Sequence, residues 1–384
     1  MNAPKLLLLL FIFFASVGTH AKSKENTIKV SKKEILKTSR LVNDWFMKKW
    51  PDPSKDVEVK GRTRKSNLWT RGVYYEGLLS LYSIDKDERY FDYAEEWCKS
   101  HNWAPRNGTH TRSADDYCCC QTYIDMKRLG CEDASLDSVK ALLDGIIIRG
   151  ERSDGDWWWI DAIQMGMPVF MKYAKETGDK AYSEKAWNMY HHTRDIRDGG
   201  LRDSLSHLWW RDKDFNPPYT TPSGKKCFWS RGDGWVVAAL CRVLDEMSPD
   251  DAHYDVYAGD LLTMLQALIP LQREDGFWNP SLADEEDYGG KEVTGTSLFL
   301  MGYAWALRHD LGSKENFEQA ALKAWKAMKK AVHKDGMLGY QQGTGKQPKD
   351  AQPVTYDRLP DFDDFGVGCF LLGSTELLRY LSAE

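Results

Sequence analysis

The sequence lacks the spacings that mark metalloproteins and the charge pattern that marks nucleic-acid-binding proteins. Its 384 residues contain no Cys-x-x-Cys pair and no His-x-x-x-His spacing, so no ligand set typical of a zinc site is present. The net charge of −5 is spread over interspersed acids and bases, which leaves no basic stripe for nucleic acid and no polybasic patch for a membrane surface. We therefore expect no metal, no cofactor and no nucleic-acid partner.

Long apolar runs are also missing. The apolar segment Leu6 to Val17 is shorter than the roughly 20 residues that a membrane-spanning helix needs. Lys5 precedes it and the small-residue site Thr19-His20-Ala21 follows it, which is typical of a secretory signal peptide. We expect residues 1–21 to be removed and residues 22–384 to form a protein that is exported to a periplasm or outside the cell and is not held in a membrane.

Linkers are scarce, and the cysteines are poorly placed for a disulfide framework. Nothing from Ser31 to Glu384 resembles an interdomain linker, so a single domain is predicted. An exported protein with eight cysteines invites disulfides. However, Cys118, Cys119 and Cys120 are consecutive within a predicted helix, where they point about 100° apart, and a chain of this length needs no staples. Buried free thiols are favoured, and disulfides remain the alternative.

Helical periodicity dominates the rest of the chain. Residues 31–47 carry apolar side chains spaced as one face of a helix. Similar patterns predict eleven more helices: Trp69 to Tyr82, Arg89 to His101, Asp116 to Leu129, Ser135 to Arg149, Ile160 to Glu176, Asp179 to Asp195, Gly234 to Glu246, Tyr254 to Leu271, Thr296 to Arg308, Glu315 to Val332 and Phe365 to Leu381. Twelve helices in all are expected.

Asp-Gly pairs recur between the predicted helices and indicate tight turns. They stand at Asp154-Gly155, Asp198-Gly199, Asp233-Gly234, Asp275-Gly276 and Asp335-Gly336. Turns at this interval predict repeated helical hairpins. Since an open solenoid needs a polar terminal repeat, the apolar last segment, residues 366–373, favours a closed ring of six helical pairs. The predicted fold is therefore all-α, an (α/α)6 toroid with its active site in the cavity at one end.

The segment Gly155 to Pro168 holds the first candidate for chemistry, because Asp161 follows three consecutive indoles, Trp157, Trp158 and Trp159. Apolar walls desolvate a carboxyl group, which raises its pKa and suits it to general acid catalysis. The alternative is that Asp161 only caps the helix that begins there.

Four motifs stand at predicted loop-to-helix junctions, where a toroid exposes them to its cavity. They are Asp115-Asp116-Tyr117, Trp159-Ile160-Asp161, Trp229-Ser230-Arg231-Gly232-Asp233-Gly234-Trp235 and Glu292-Val293-Thr294-Gly295-Thr296-Ser297. Together they resemble glycoside hydrolase family 105, the unsaturated rhamnogalacturonyl and glucuronyl hydrolases. The resemblance runs from Trp69-Thr70-Arg71-Gly72 to Phe365-Gly366-Val367-Gly368.

This resemblance implies an enzyme that removes a Δ4,5-unsaturated uronic acid from the non-reducing end of oligosaccharides left by polysaccharide lyases. It implies that Asp161 is the general acid and base, which protonates C4 of the vinyl ether and activates a water for C5. Because the anomeric carbon is not attacked, one carboxylate suffices, unlike in ordinary glycosidases.

The resemblance also assigns the neighbouring residues. Asp116 matches the second aspartate and is expected to share a proton with Asp161 or hold it in place, with Asp115 taking that role if the register is one residue earlier. Arg231 is expected to pair with the substrate carboxylate. Trp235 is expected to stack on the uronyl ring.

Each assignment has a structural alternative. Arg231 could pair locally with Asp233, Trp235 could be core, and Asp115 and Asp116 could cap a helix. Glu292, with Thr294 and Ser297, is more readily explained as a helix start with its cap.

The sequence departs from the family at Leu208-Trp209-Trp210-Arg211-Asp212, where well-known members carry a histidine in a Leu-Tyr-His-like segment. Arg211 is expected to take over part of that site and to grip the uronate or a sulfate; the alternative is an exposed loop arginine. Trp159 and Trp210 are the other predicted sugar-binding rings. A sulfated or glucuronyl-rhamnose substrate, from ulvan or arabinogalactan, is then as credible as pectin rhamnogalacturonan.

Two other functions fit a toroid: a polysaccharide lyase and a sugar-binding protein without catalysis. A lyase would need a Tyr, His or Asn set, and no such cluster is evident in the sequence. A binding protein would have no need of Asp161. A monomer or weak oligomer acting on an unsaturated oligosaccharide is the favoured prediction.

Overall fold

The computed structural model describes residues 30–383, so the predicted signal peptide, residues 1–21, lies outside the described residues. Within that range the chain forms thirteen α-helices and one short hairpin. The helices are α1 (Lys32–Lys49), α2 (Trp69–Asp85), α3 (Glu88–Ser100), α4 (Ala114–Tyr117), α5 (Cys120–Arg128), α6 (Asp137–Ile148), α7 (Asp161–Thr177), α8 (Lys180–His191), α9 (Ser230–Leu244), α10 (Tyr254–Leu268), α11 (Val293–Arg308), α12 (Lys314–Ala331) and α13 (Asp364–Ala383).

The hairpin pairs β1 (Val57–Val59) with β2 (Arg62–Arg64) in antiparallel register, Val57 opposite Arg64. One predicted helix, Asp116 to Leu129, is broken in the structure, because Cys118 and Cys119 form a turn between α4 and α5. Counting α4 and α5 as one interrupted helix gives the twelve that were predicted.

The helices form two concentric layers, as their burial patterns require. An outer helix such as α1 buries one stripe, Ile35, Ser39, Val42, Asn43 and Phe46, which is the spacing of an amphipathic helix. An inner helix such as α11 is buried at every position from Val293 to Leu307, as expected for a helix covered on all sides. The outer layer comprises α1, α3, α6, α8, α10 and α12.

The inner layer closes on itself. Around the ring, α2 packs on α5, α5 and α4 on α7, α7 on α9, α9 on α11, α11 on α13, and α13 returns to α2. Together with the solved structures described below, this arrangement confirms the predicted (α/α)6 toroid. Within the described residues, no helix is long and apolar enough to cross a membrane.

The two ends of the toroid differ in loop length, and this decides where a site can form. The connections from an inner helix to the next outer helix are short: residues 86–87, 129–136, 178–179, 245–253 and 309–313. The connections from an outer helix to an inner helix are long: residues 50–68, 101–113, 149–160, 192–229, 269–292 and 332–363. The long loops therefore gather at the amino-terminal ends of the inner helices, which we call the cavity end.

Four of the five Asp-Gly pairs lie in these long loops, at residues 154, 198, 275 and 335. The fifth prediction is wrong, because Asp233-Gly234 lies inside α9, which begins at Ser230. Its glycine serves packing: a Cβ at Gly234 would lie 3.1 Å from Leu298 Cδ1 and 3.3 Å from Gly295 Cα of α11. Close approach of two inner helices explains this glycine better than a turn does.

The opposite end carries partly buried ion pairs. Arg242 lies 3.7 Å from Glu76, Lys172 contacts Asp125 at 2.5 Å, and Arg308 contacts Glu376 at 2.6 Å. Burial raises the pKa of Glu76. These pairs compensate one another beside a polar cavity of about 460 Å³.

All eight cysteines are buried free thiols, as favoured from the sequence. Their burial agrees with the usual behaviour of free cysteine as a small apolar side chain.

Ring closure depends on glycines where α13 meets α2. A Cβ at Gly368 would lie 2.3 Å from the carbonyl oxygen of Val73, and one at Gly77 would lie 2.5 Å from that of Gly368. Both distances are far below contact with a backbone atom, so the two helices touch through bare backbone.

We expect Gly368→Ala to lower the free energy of unfolding by about 1–3 kcal/mol, because the methyl group forces α13 away from α2. Gly259→Ala in α10 is the matched control: its Cβ meets no heavy atom within 4 Å, and the gain in helix propensity should stabilise by about 0.5–1 kcal/mol. Urea unfolding of both variants measures the difference. Equal effects at the two positions would contradict this account of ring closure.

Candidate active site

Asp161 is the first residue of α7 at the cavity end, and an ion pair holds its side chain. Its Oδ2 accepts a hydrogen bond from Arg211 Nε at 3.0 Å. The N-cap of α7 is Ile160, without a side-chain cap, so the interpretation of Asp161 as the cap residue is not the arrangement in the structure. The carboxyl group is instead a partner of Arg211.

Two extended segments bring these residues together. The main-chain N–H of Ile160 donates to the carbonyl of Arg211 at 3.0 Å, and Trp159 pairs with Asp212 in an antiparallel bridge. The long loop before α9 is thus fastened to the start of α7. A sequence separation of fifty residues hides this contact from any local pattern.

Arg211 is enclosed and does not project into solvent. Its side chain is 13% exposed, Nη1 donates to Asp212 Oδ2 at 2.6 Å, and Cζ lies 5.8 and 6.0 Å from the ring centroids of Trp158 and Trp159. The alternative of an exposed loop arginine is therefore wrong. Arg211 bridges two carboxylates over an aromatic surface.

Asp115, in the first turn of α4, carries the perturbed carboxyl group of the site. Its pKa is raised to about 7 by burial first and then by the negative charge of Asp161, while Arg211 acts in the opposite direction. The smaller influences come from Asp116, which raises the pKa, and Arg106, which lowers it. A group that holds its proton up to neutral pH can donate or receive a proton under physiological conditions.

Asp116 faces the other way. It accepts hydrogen bonds from Arg106 Nε at 2.8 Å, Asn107 Nδ2 at 3.0 Å and Thr111 Oγ1 at 2.5 Å. All three donors belong to the loop before α4, so the carboxylate of Asp116 organises that loop. Neither aspartate caps α4, whose N-cap is Ser113 without a side-chain bond.

The three consecutive indoles have three different environments. Trp157 is fully buried and donates from Nε1 to Tyr117 Oη at 2.8 Å. Trp159 is also buried, whereas Trp158 is 45% exposed with its ring 4.5 Å from that of Trp159. The apolar wall expected from three rings is therefore formed beside Arg211 by Trp158 and Trp159, and Trp157 belongs to the core.

Arg231 is buried, and its guanidinium donates hydrogen bonds to main-chain carbonyl groups. Nη1 donates to the carbonyl of Gln342 at 2.6 Å and Nη2 to that of Gly343 at 2.8 Å, between the rings of Trp229 and Phe365. The local pair with Asp233 is not formed, because Asp233 accepts from the N–H of Trp209 at 2.9 Å. Arg231 thus anchors the loop before α13 to α9.

Aromatic side chains from α2, α9 and α13 pack against one another near the starts of these helices. Trp235 is fully buried, with Trp69 edge-on against it at 6.1 Å and Phe365 5.2 Å from Trp69. Trp69 is the partly exposed member of this aromatic floor. Trp235 is therefore core beneath the cavity, as the structural alternative proposed. Sequence reasoning did not single out Trp69 as a site residue, although its position at the first residue of an inner helix was the available signal.

Trp210 and Glu292 frame the site from two other loops. Trp210 is buried against Phe228 at 5.8 Å, with Lys226 Nζ 5.6 Å from its ring centroid. Glu292 is the N-cap of α11 and accepts from the N–H groups of Thr294 and Gly295, which confirms the interpretation as a helix start. Within residues 30–383, no group of three or more His, Cys, Asp or Glu is arranged to hold a metal ion.

The perturbed carboxyl group predicts a pH dependence of stability. The pKa of Asp115 is about 7 in the folded protein, against an ordinary value of 3.8, so the folded state keeps a proton that the unfolded state loses. The wild type should therefore lose stability as pH rises from about 4 to 7. We expect the stability of Asp115→Asn relative to wild type to rise over that range and stay constant above it. Urea unfolding at several pH values tests this, and a pH-independent difference would contradict it.

Replacing Arg231 should affect the stability of the protein more than its affinity for substrate. Replacing it by methionine leaves two carbonyl acceptors without donors, and we expect the free energy of unfolding to fall by about 2–5 kcal/mol. Arg89→Met, on the exposed face of α3, is the control. A variant as stable as wild type but with a raised KM would instead assign Arg231 to the substrate.

Known proteins resemble this chain over most of its length. Residues 38–381 match the family described as Glycosyl Hydrolase Family 88. The unsaturated 3S-rhamnoglycuronyl hydrolase of Formosa agariphila is 31% identical over 331 residues, which cover 81% of this chain and 84% of that protein.

Solved structures share the whole toroid. A glycosyl hydrolase family 88 protein from Bacteroides vulgatus superposes with a TM-score of 0.82 at 27% identity, covering 91% of this chain and 100% of that one. A structure described as a polysaccharide lyase has a TM-score of 0.81 at 25% identity, covering 92% and 99%.

The motifs resembled the unsaturated uronyl hydrolases, and the matching family is family 88. Its match extends over all six helical pairs and includes every residue placed at the cavity end. The chain therefore belongs to glycosyl hydrolase family 88, and it is a glycoside hydrolase.

Proposed function

We propose that this glycoside hydrolase removes a Δ4,5-unsaturated uronic acid from the non-reducing end of lyase-generated oligosaccharides in which that uronate is linked to rhamnose. The observation that carries the proposal is the group formed by Asp161, Arg211 and Asp115. It combines a carboxylate paired with a cation and a second carboxyl group whose pKa is about 7.

The reaction begins with a proton transfer. Protonated Asp161 gives its proton to C4 of the vinyl ether, and the positive charge develops at C5, where the ring oxygen stabilises it. Asp161, now ionised, takes a proton from a water whose oxygen adds to C5. The resulting hemiketal opens to a ketone at C5, and the hemiacetal at C1 then releases the remaining oligosaccharide as an alcohol. Asp161 ends the cycle protonated, as it began.

Asp115 supports this cycle as the proton-holding neighbour. Two close carboxyl groups do not both ionise readily, and the charge of Asp161 raises the pKa of Asp115. We assign to Asp115 the role of sharing a proton with Asp161, which was predicted first for Asp116. Asp116 keeps a positioning role, since its hydrogen bonds to Arg106 and Thr111 fix the loop that leads into α4.

The rhamnose-linked substrate is supported by the similarity to the Formosa agariphila protein, which is an unsaturated 3S-rhamnoglycuronyl hydrolase. A sulfated sugar next to the uronate, as in ulvan, would meet Lys226 near Trp210, a half-exposed cation that pairs with Asp203 at 2.6 Å when no sulfate is bound. Pectin rhamnogalacturonan remains the second substrate of this proposal. Comparing lyase digests of ulvan and pectin side by side identifies the preferred one.

We also propose that the protein is exported. The support is the sequence of residues 1–21, in which an apolar segment follows Lys5. An exported enzyme meets oligosaccharides where extracellular lyases release them. Amino-terminal sequencing of the protein recovered from its native host tests this.

A polysaccharide lyase is the second candidate, favoured by the solved structure described as one. Absorbance near the wavelength of the uronate double bond separates the two reactions. A hydrolase consumes this chromophore in a lyase digest, whereas a lyase generates it from intact polysaccharide.

We expect Asp161→Asn to lower chromophore loss by about 10³-fold or more, because the amide neither donates nor accepts the required proton. Substrate binding, measured by calorimetry, should persist. Asp92→Asn, on the exposed side of α3, is the control and should match wild type. If Asp161→Asn folds normally and keeps turnover within a few-fold of wild type, Asp161 is not the acid.

A further inference from the structure

Arg211 has hydrogen-bonding capacity left over after its two ion pairs. Nε binds Asp161 and Nη1 binds Asp212, while Nη2 makes no hydrogen bond to any residue that the structure describes. A guanidinium offers five N–H donors in a planar fork that matches a carboxylate with two parallel bonds. Arg211 is thus anchored and still able to receive another acid.

More carboxyl groups than cations surround Arg211 among the described residues. Asp161 and Asp212 both contact it, and Asp115 is close enough to feel the charge of Arg211 and Asp161. The neighbouring cations are committed elsewhere: Arg106 pairs with Asp116, and Arg231 binds two main-chain carbonyls and feels the charge of Glu292 before that of Asp161. One cation therefore serves up to three carboxyl groups.

A uronate substrate adds another carboxylate to this group. Like charges within about 4–6 Å oppose each other's ionised form, so the enclosed site cannot accept the new charge at no cost. Protonation of a resident carboxyl group removes the conflict.

We propose that Arg211 is a counter-ion shared between Asp161 and the substrate: it pairs with Asp161 in the empty site and with the uronate carboxylate in the occupied site, so that binding drives a proton onto Asp161. This inference rests on the proposed function and assigns Arg211 as a positioning residue. The proton comes from solvent, directly or through the carboxylic acid of Asp115, which is then reprotonated. The net change is one proton taken up for each uronate bound.

The arrangement has a mechanistic consequence. Without substrate, the carboxyl group of Asp161 is bound to the guanidinium of Arg211. The substrate's own carboxylate withdraws that cation and produces the protonated acid that its C4 needs. A neutral sugar of the same shape does not trigger the change, so discrimination for uronates is built into the protonation step.

Calorimetry with an unreactive ligand tests the proposal directly. The probe is saturated glucuronyl-rhamnose, which has the carboxylate but no double bond, and its partner is glucosyl-rhamnose, which lacks the charge. Binding heats in phosphate and in Tris at pH 7 give the number of protons taken up. We expect about one proton for the glucuronyl ligand and none for the glucosyl ligand.

Proton uptake on binding also determines how the dissociation constant changes with pH. A ligand that takes up one proton binds about tenfold more weakly for each unit of pH increase in the range where uptake is complete. The dissociation constant of the glucuronyl ligand should rise in this way above pH 7, and that of the glucosyl ligand should stay constant. Glucuronyl binding without proton uptake and without this slope would overturn the proposal.

Variants separate the role of Arg211 from general damage. Arg211→Gln should weaken binding of the glucuronyl ligand by about 10- to 100-fold, abolish its proton uptake and leave glucosyl binding unchanged, and Arg211→Lys should retain part of each effect. Arg89→Gln, an exposed arginine on α3, should behave as wild type. Loss of glucuronyl and glucosyl binding to the same extent would argue against a shared counter-ion.

Asp212→Asn provides a second route if Arg211 variants fold poorly. It removes one negative charge beside Arg211 and leaves the bond to Asp161 in place. We expect several-fold tighter binding of the glucuronyl ligand, and weaker binding would contradict the charge balance. Chromophore loss by the wild type tests the proposed function separately. An enzyme that consumes the chromophore but binds the glucuronyl ligand without proton uptake would refute the shared counter-ion and leave the proposed function standing.

Discussion

The closure of the inner ring, where α13 meets α2, is the constraint on which the rest of the structure depends. The first and last inner helices are almost 300 residues apart in sequence, and they touch through the backbones of Gly77 and Gly368. At the cavity end the same two helices are joined by a buried ion pair between Arg71 and Asp364 at 3.2 Å. Only a closed ring turns six separate helix starts into one enclosed site.

Closure of the ring also brings together the charged side chains of the candidate site. Asp115, Asp161 and Arg211 come from three different long loops or helix starts, and the contact between Asp161 and Arg211 joins the start of α7 to the loop before α9. The amino-terminal end of a helix favours negative charge, which makes the starts of α4 and α7 suitable positions for carboxylates. Of the three arginines described near these carboxyl groups, Arg106 and Arg231 bind loop residues, whereas Arg211 pairs with Asp161.

The sequence was sufficient to predict the twelve helices and the toroid, because helical periodicity and buried inner helices are local patterns. It was also sufficient to point to Asp161, which stands at a loop-to-helix junction. It could not tell the environments of Asp115 and Asp116 apart, since adjacent residues in a helical turn point about 100° apart and Asp116 is bound by three residues of a separate loop, Arg106, Asn107 and Thr111. The burial of Arg231 depends on a loop 111 residues further along the chain. Asp233-Gly234 is a residue pair typical of turns, but it lies inside α9, where Gly234 permits close packing against α11.

The aromatic floor links α2, α9 and α13 through the rings of Trp69, Trp235 and Phe365, and in the proposed function a sugar chain meets this end of the toroid by its non-reducing terminus. A double bond made by a lyase exists only on the terminal residue. Once that residue is removed, the new terminus carries no double bond and is no longer a substrate. In the proposed function each oligosaccharide is therefore trimmed once, and the number of turnovers equals the number of unsaturated ends that lyase cleavage supplies.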